Sequence, residues 1–144
     1  MTIRPFRIED EAAVIELWTK CELTRPWNDP SKDIQRKLQV QPELFLVGED
    51  EHGIIIASVM AGYEGHRGWL NYLAVHPAHQ RRGHARTLLA EAERLLLERG
   101  CPKINLQVRS TNAAAAAFYH ALGYDLDEVL SMGKRLVQDA PPVS

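Results

Sequence analysis

The stretch Gln80-Arg81-Arg82-Gly83-His84-Ala85 decides the fold, because it joins an apolar run, 69–75, to a strongly periodic helix that begins near residue 85. A glycine-containing turn directly before a helix leaves several backbone N–H groups without intrahelical partners, and these groups converge on one point. Three arginines add positive charge around that point: Arg81, Arg82 and Arg86. The pattern predicts a phosphate site at the helix start, with a tight turn in a solvated surface as the alternative interpretation.

The spacing of this stretch excludes two common phosphate motifs. The dinucleotide-binding fingerprint needs three glycines, and the P-loop needs a lysine followed by serine or threonine. Gly83 is the single glycine of the stretch, and no lysine accompanies it. The predicted site is therefore suited to a phosphate ligand of another kind.

The composition is that of one ordinary globular domain. The chain has 144 residues, of which 45% are hydrophobic and 25% charged, and its formal net charge is -2. Nucleic-acid binding usually needs a basic surplus, so this charge argues against nucleic acid as a partner. The two cysteines are far apart in sequence, which indicates neither a metal knuckle nor a redox motif. Because no signal-like start or membrane-length apolar run is present, we expect a cytoplasmic protein without a membrane partner.

Hydrophobic patterns predict strands and helices in one mixed α/β domain. Strands are expected at 3–8, 44–49, 54–63, 69–75 and 103–108, with one or two closing strands between Tyr124 and Leu136. Four helices are expected: one before the loop 25–30, one from Asp29-Pro30 to about Val40, one ended by Gly100, and one from Asn112 to Leu122. We therefore predict a domain over residues 1–137 with six or seven strands, followed by a flexible tail at 138–144.

The last predicted helix carries two polar side chains on one face. Asn112 and Tyr119 are seven residues apart, close to two helical turns, which places them roughly 10 Å apart along the axis. The alanines 113–117 lie between them. This run favours either close packing against the sheet or a smooth wall along which a narrow ligand could lie, with an amide at one end and a phenol at the other.

Several blocks of the sequence together resemble one family. These blocks are Leu73-Ala74-Val75-His76-Pro77, the stretch 80–85, Asn112, Phe118-Tyr119 and Leu122-Gly123-Tyr124. The set is similar to the GNAT family of acetyl-CoA-dependent N-acetyltransferases, and residues 106–115 are similar in particular to ribosomal protein alanine N-acetyltransferases. The resemblance implies a mixed sheet with splayed central parallel strands. It also implies an enzyme that transfers the acetyl group of acetyl-CoA to a primary amine by direct attack.

The resemblance further implies which residues bind acetyl-CoA as cosubstrate. The diphosphate would contact the loop and helix start, namely Arg81, Arg82, Gly83, His84, Ala85 and Arg86. The pantetheine arm would add to the strand through Leu73, Ala74 and Val75, and would face Asn112 and Tyr119. Three histidines, His76, His79 and His84, are close in sequence, but no carboxylate or cysteine has ligand-like spacing with them, so we predict no metal site.

For catalysis, the resemblance implies that Tyr119 donates a proton to the departing thiolate. The related ribosomal enzymes carry a glutamate as general base where this chain has Gln107, and an amide takes no proton at neutral pH. Three explanations stay open: Glu64 or His66 acts as the base through water, the amine arrives neutral, or catalysis has been lost. The last explanation corresponds to an alternative function, a CoA-binding module with little or no turnover.

The acceptor site implied by the resemblance lies at the loop between the first two helices. Trp27 and Asn28 are its candidate residues, and Trp27 is either a lid over the amine or an anchor that holds the loop on the core. The partner is an amine acceptor, which could be a small molecule, a peptide or a protein N-terminus. Contact of residues 80–86 with nucleic-acid phosphates is a third hypothesis. The chain is expected to be a monomer or a homodimer.

Overall fold

A computed structural model describes residues 1–139. In chain order the elements are β1 (Thr2–Pro5), α1 (Glu11–Lys20), α2 (Pro30–Lys37), β2 (Phe45–Glu49), β3 (Ile55–Tyr63), β4 (Gly68–Val75), α3 (His84–Glu98), β5 (Ile104–Leu106) and α4 (Ala113–Ala121). Short 3-10 turns lie at Ile8–Asp10, Pro42–Leu44 and Pro77–His79. None of the helices in this described part combines the length and apolar character that a membrane span requires.

The five strands form one sheet in the order β1-β2-β3-β4-β5. The first four strands pair antiparallel with their neighbours, whereas β5 pairs parallel to β4. The turn between β2 and β3 is closed by the Asp50 side chain, which accepts from the backbone N–H groups of His52 and Ile54 at 2.8 and 3.0 Å. The predicted hairpin, the parallel pair and the α/β class are therefore confirmed.

Helices cover both faces of the sheet and enclose two hydrophobic clusters. On one face α3 packs against β2, β3 and β4, with Leu88, Leu89, Ala92 and Leu96 fully buried. On the other face α1 and α2 pack through Val14, Leu17, Trp18 and Ile34. The partly buried side chains of Leu73 and Val75 belong to the α3 cluster. The buried Ala74 and the partly buried Tyr72 belong to the α1–α2 cluster. Successive residues of β4 therefore reach opposite faces of the molecule.

The predicted N-cap of α2 and the predicted glycine stops of α3 and α4 are present, whereas Asp10 precedes α1 without a side-chain cap bond. Asp29 accepts from the backbone N–H groups of Ser31 and Lys32 at 3.0 and 3.3 Å, and Pro30 occupies the first helical position of α2. Gly100 and Gly123 follow α3 and α4 with φ of +83° and +93°. The N–H groups of Cys101 and Tyr124 bond back to the carbonyls of Leu96 and Tyr119, as in a Schellman motif. These stops fix where the chain leaves each helix.

The pair β4–β5 is short. It joins only Gly68–Leu70 to Ile104–Leu106, so the second half of β4 is not paired by any strand of residues 1–139 on that side. The N–H of His76 bonds to the Ile56 carbonyl of β3 at 2.8 Å. Because alternate residues point to opposite edges of a strand, the backbone of Val75 faces the open edge and that of Ala74 faces β3. The predicted splay between the central strands corresponds to this open edge.

The prediction of closing strands between Tyr124 and Leu136 is wrong, since the sheet of the described chain has five strands rather than six or seven. Its apolar residues at 124, 126, 130, 132 and 136 do alternate with a period of two, but Glu128 and Lys134 interrupt this series, and no edge of the sheet pairs with the segment. Their side chains are exposed: Leu126, Val129, Leu130, Met132, Leu136 and Val137. The segment instead contacts residues at the two ends of β5 through Asp127 and Ser131, and it reaches the loop between α1 and α2 at residues 133–137.

The segment predicted to be a flexible tail begins with two described residues, Gln138 and Asp139. The buried carboxylate of Asp139 accepts from the Arg36 guanidinium at 2.6 and 3.2 Å and from the backbone N–H of Asp29 at 3.3 Å. This contact ties the C-terminal segment to α2. Residues 140–144, which make up the rest of the predicted tail, lie outside the described residues.

Candidate active site

The start of α3 presents unpartnered backbone donors, as its sequence predicts. Gly83 is the residue before the helix and has φ +80°, and no side chain of residues 1–139 caps this terminus. The Gly83 carbonyl accepts from the N–H and the hydroxyl of Thr87 at 3.1 and 3.0 Å, which begins the helical ladder. The N–H groups of the first turn, at His84, Ala85 and Arg86, are left for an external acceptor.

The charge around this helix start is positive. Arg81, Arg82 and Arg86 are exposed, and none of them forms an ion pair within the described chain. Desolvation, followed by the charges of the amino terminus, His79 and Arg82, lowers the pKa of His84, so its imidazole is neutral at pH 7. Three arginines without counter-charge thus belong to the same short stretch as the orphan N–H groups, and this combination is suited to a diphosphate.

The space in front of the loop is open. A Cβ atom added to Gly83 would meet no heavy atom within 4 Å, although any L side chain would be strained at its φ of +80°. The glycine is thus required by backbone conformation, and the site has room for a bulky ligand. On these observations the residues fit the diphosphate of coenzyme A.

We call residues 81–86 at the start of α3 the cradle. Beside the cradle, the open edge of β4 contains a bulge. Ser58 pairs with Ala74 and Met60 with Asn71, so Tyr72 and Leu73 together oppose one residue of β3. Tyr72 has φ +53°, which is strained for a bulky residue. Such an insertion re-aims the backbone that follows it. The Leu73 side chain packs in the α3 cluster. Its backbone lies in the second half of β4, where the strand edge toward β5 is unpaired.

Four buried or half-buried groups hold the bulge in place, and sequence reasoning missed them. The Ser58 hydroxyl donates to the Tyr72 carbonyl at 2.9 Å and accepts from Trp18 Nε1 at 2.8 Å. The Tyr72 ring stacks on Trp18 with centroids 3.8 Å apart, and its hydroxyl donates to Asp33 at 2.6 Å. A signal was available, since Ser58 is the one polar side chain inside the apolar strand 55–61.

Tyr119 lies on α4, on the α3 side of the sheet, and Asn112 is the residue directly before α4. The Asn112 side chain caps α4 by accepting from the Ala115 N–H at 3.0 Å, which leaves its NH₂ group free to donate to a ligand. Tyr119 belongs to the same cluster as Leu73 and Val75, and burial raises its pKa. Its hydroxyl bonds to no group of residues 1–139. The alanines between these residues are exposed or half-buried, which favours the smooth-wall interpretation over close packing.

The two candidate bases, Glu64 and His66, lie in the loop between β3 and β4, and Gln107 directly follows β5. The Glu64 carboxylate closes its own loop by accepting from the N–H groups of His66, at 2.9 Å, and Arg67. The His66 side chain is exposed. Gln107 donates to the Ser131 hydroxyl and so ties the strand end to the C-terminal segment.

Trp27 lines an open cleft of about 650 Å³ between the α1–α2 loop and the C-terminal segment. The side chain is 53% exposed, so it does not hold its loop on the core. The Asn28 amide oxygen accepts from Arg135 across the cleft. The histidines 76, 79 and 84 lie near one another, but no three His, Cys, Asp or Glu side chains of the described residues are grouped as metal ligands would be.

Comparisons with known proteins give the family. The acetyltransferase (GNAT) family model matches residues 12–124. A Sodalis glossinidius protein named as an acetyltransferase is 51% identical over 140 residues, which cover 96% of this chain and 98% of that protein.

Solved structures give the same result. The ribosomal-protein-S18-alanine N-acetyltransferase from Escherichia coli is 27% identical with a TM-score of 0.70, covering 85% of this chain and 76% of that one. Chaetomium thermophilum Naa20, solved in complex with a bisubstrate analogue, is 28% identical with a TM-score of 0.70, covering 87% and 71%. The resemblance seen in the sequence is thus confirmed, and the chain belongs to the GNAT family, whose members transfer an acetyl group from acetyl-CoA to an amine.

Proposed function

We propose that this protein acetylates a primary amine by direct attack of that amine on acetyl-CoA, both substrates being bound at once. The observation that carries the proposal is the start of α3, where three orphan N–H groups and three arginines without counter-charge lie beside the open edge of β4. In this proposal the two substrates approach from different sides of the sheet. The α3–α4 face offers the coenzyme cradle, and the α1–α2 face offers the cleft at Trp27.

In this proposal acetyl-CoA supplies an activated acyl group as a thioester, and residues of the chain bind and orient it. The N–H groups of residues 84–86 and the three arginines bind the diphosphate. The N–H of Val75 and the re-aimed backbone at Leu73 face the open edge, where an extended arm can add like a strand. The Val75 carbonyl already accepts from Gln80 Nε2 at 3.1 Å, and the Ala74 backbone faces β3, so we assign the arm to Leu73 and to the N–H of Val75.

The N–H at the bulge also serves the reaction. A backbone donor that is fixed before the reaction stabilises negative charge developing on a carbonyl oxygen more than mobile water does. The contacts of Ser58, Trp18 and Asp33 hold Tyr72 and hence set the direction of the Leu73 N–H. These three are positioning residues in this account.

Tyr119 acts at the leaving sulfur. Proton transfer from a phenol of pKa about 10 to a thiolate of pKa about 8.5 is uphill by roughly 2 kcal/mol. Burial raises the pKa of Tyr119 further, which makes full transfer still less favourable. The main contribution of Tyr119 Oη is therefore a hydrogen bond to the developing thiolate.

For the attacking amine, we propose arrival in its neutral form. Gln107 is not a base, and Glu64 is occupied by backbone donors of its own loop. The logarithm of kcat/KM should then rise with pH with a slope near one, up to the pKa of the acceptor. With two acceptors of different amine pKa, the end of this rise should move with the acceptor. A rise that ends at one pH for both acceptors would instead identify a titrating base on the enzyme.

The second candidate function, a CoA-binding module without turnover, is motivated by Gln107. The discriminating experiment measures thiol release from acetyl-CoA across amines of several classes, with wild type beside Gln107→Glu. Steady release with any primary amine eliminates the module, and a faster Gln107→Glu variant would show that a missing base limits the rate. CoA binding without release from any amine would overturn the proposed function. The cytoplasmic location and the monomeric or dimeric state stay predictions.

A further inference from the structure

The cleft beside Trp27 is built from cationic and apolar side chains of two distant segments. Its lining residues are Trp27, Arg36, Gly133, Lys134, Arg135, Leu136 and Val137. At about 650 Å³ it is in the size range of small-molecule sites. The exposed indole offers a flat apolar wall, and three of the seven lining residues carry positive charge. The cleft therefore combines an aromatic face with cations.

The positive charge of this cleft is only partly compensated. Arg36 is neutralised by Asp139 at 2.6 Å and also contacts Asp33 at 3.3 Å. Arg135 lies 3.9 Å from Asp139, which is already bound by Arg36, and donates to the neutral Asn28 amide. Lys134 forms no ion pair with any residue of the described chain. Three cations thus face two carboxylates, which leaves one uncompensated positive charge, at Lys134, for a ligand.

Contacts link this cleft to the reacting edge of β4. Asp33 accepts from the Tyr72 hydroxyl at 2.6 Å and from Arg36 at 3.3 Å, so two successive hydrogen bonds lead from the bulge to the cleft wall. On the other side, Gln107 at the end of β5 bonds to Ser131, two residues before the lining segment. The cleft wall and the bulge are therefore connected through side chains that share hydrogen-bond partners.

We propose that the acceptor carries at least one carboxylate near its primary amine. This inference rests on the proposed function and names its substrate class. A carboxylate would accept from Lys134 and Arg135, while the carbon chain between carboxylate and amine would lie on Trp27. The same cationic side chains disfavour polyamines, because the positive charges of a polyamine and of the cleft repel each other. An acidic amino-acid-like metabolite and the N-terminus of an acidic peptide present this same chemistry.

The test compares acceptors that differ only in charge. Initial rates are measured with γ-aminobutyrate against its neutral amide, with the C-terminally amidated peptides Ala-Glu-Glu, Ala-Gln-Gln and Ala-Lys-Lys, and with spermidine. We expect kcat/KM to be at least tenfold higher for the acidic member of a pair, with spermidine poorest. Comparing the rates of the free amino acids with those of the peptides shows whether the acceptor is a metabolite or a peptide N-terminus.

Two double variants test whether the cleft is the cause. Lys134→Gln/Arg135→Gln should raise KM for the preferred acidic acceptor about ten- to a hundredfold, with kcat and the neutral acceptor changed less than threefold. The control Arg94→Gln/Arg99→Gln removes the same charge from the end of α3, on the opposite face of the sheet, and should leave all constants unchanged. Calorimetric titration of the acidic acceptor into the CoA complex should show the same loss of affinity without turnover.

The outcomes separate this inference from the function on which it rests. Turnover without a charge preference, or a preference that survives in the Lys134 and Arg135 variant, would overturn the inference and leave the acetyltransferase intact. Thiol release from no acceptor at all, with CoA still bound, would overturn the proposed function and the inference together.

Discussion

The cradle at the start of α3 and the cleft at Trp27 are built in different ways. The cradle consists mainly of backbone N–H groups and arginines from residues 81–86, so a single short stretch contains it. The cleft brings together residue 27, residue 36 and the segment 133–137, which are about a hundred positions apart at the extremes. A site made from local backbone is readable from sequence, whereas a site made from side chains of distant segments depends on the whole fold.

The difference also concerns what each region recognises. Backbone donors at a helix start bind any phosphate group of suitable size, which suits a ligand that a whole family shares. Side chains on a loop and a terminal segment differ from one chain to the next and set specificity. Between the two regions lies the bulge of β4, held by Ser58, Trp18 and Asp33. Variants in each region should therefore separate coenzyme binding, chemistry and acceptor choice.

The largest effect is expected at the chemical step. Tyr119→Phe should lower kcat about ten- to a thousandfold with CoA affinity kept, because the hydrogen bond to the leaving sulfur is lost. Tyr124→Phe is the matched control: its ring lies 5.8 Å from that of Tyr119, but its hydroxyl bonds to Glu93. Steady-state rates check both variants. Wild-type turnover in Tyr119→Phe would remove this residue from the mechanism.

The next effect isolates the cradle. Gly83→Val places a β-branched residue at φ +80° and should distort the helix start, which raises the Kd for CoA about ten- to a hundredfold. Gly100→Val creates the same strain, at φ +83°, on the opposite end of α3. Calorimetry of both variants provides the comparison. Equal loss of CoA affinity in the two would mean that strain in α3, rather than the cradle, is responsible.

A smaller effect is expected at the bulge that joins the two regions. Ser58→Ala leaves the buried Trp18 N–H without its acceptor and should lower the free energy of unfolding by about 1–3 kcal/mol. It should also lower kcat severalfold, because the Tyr72 carbonyl loses its donor. Ser31→Ala, which removes a half-exposed contact with Glu11, serves as the control for urea unfolding. An unfolding midpoint unchanged from wild type in Ser58→Ala would contradict the role of Ser58 in holding the bulge.

The smallest effect concerns the contact that closes the cleft. Hydrogen bonding from Arg36, aided by the Asp29 N–H and opposed by desolvation, lowers the pKa of Asp139 from 3.8 to about 2. A lowered carboxyl pKa stabilises the fold above pH 3.8, and this stabilisation is lost as the pH falls through about 2. Asp139→Asn should therefore be less stable than wild type at pH 7, with the difference disappearing near pH 2. Urea midpoints at several pH values check this, and a constant difference would contradict it.

Particular residues show how far sequence reasoning reaches. Periodicity predicts α3, the strands around it and both glycine stops, because each signal lies within the element that it describes. The strand predicted between Tyr124 and Leu136 is absent although its apolar residues alternate, because a strand also needs a sheet edge with which its backbone can pair. The bulge at Tyr72 depends on Trp18, 54 positions away, and the ion pair of Asp139 depends on Arg36. Such contacts leave no local pattern in the sequence.

The most direct test of this account follows the backbone amide signals of the α3 start by NMR during titration with CoA and, separately, with pantetheine, which lacks the diphosphate. The N–H signals of Gly83, His84, Ala85 and Arg86 are expected to shift most with CoA and to stay in place with pantetheine. If the largest CoA-induced shifts lie elsewhere, or if pantetheine moves these four signals equally, the diphosphate does not bind at the helix start.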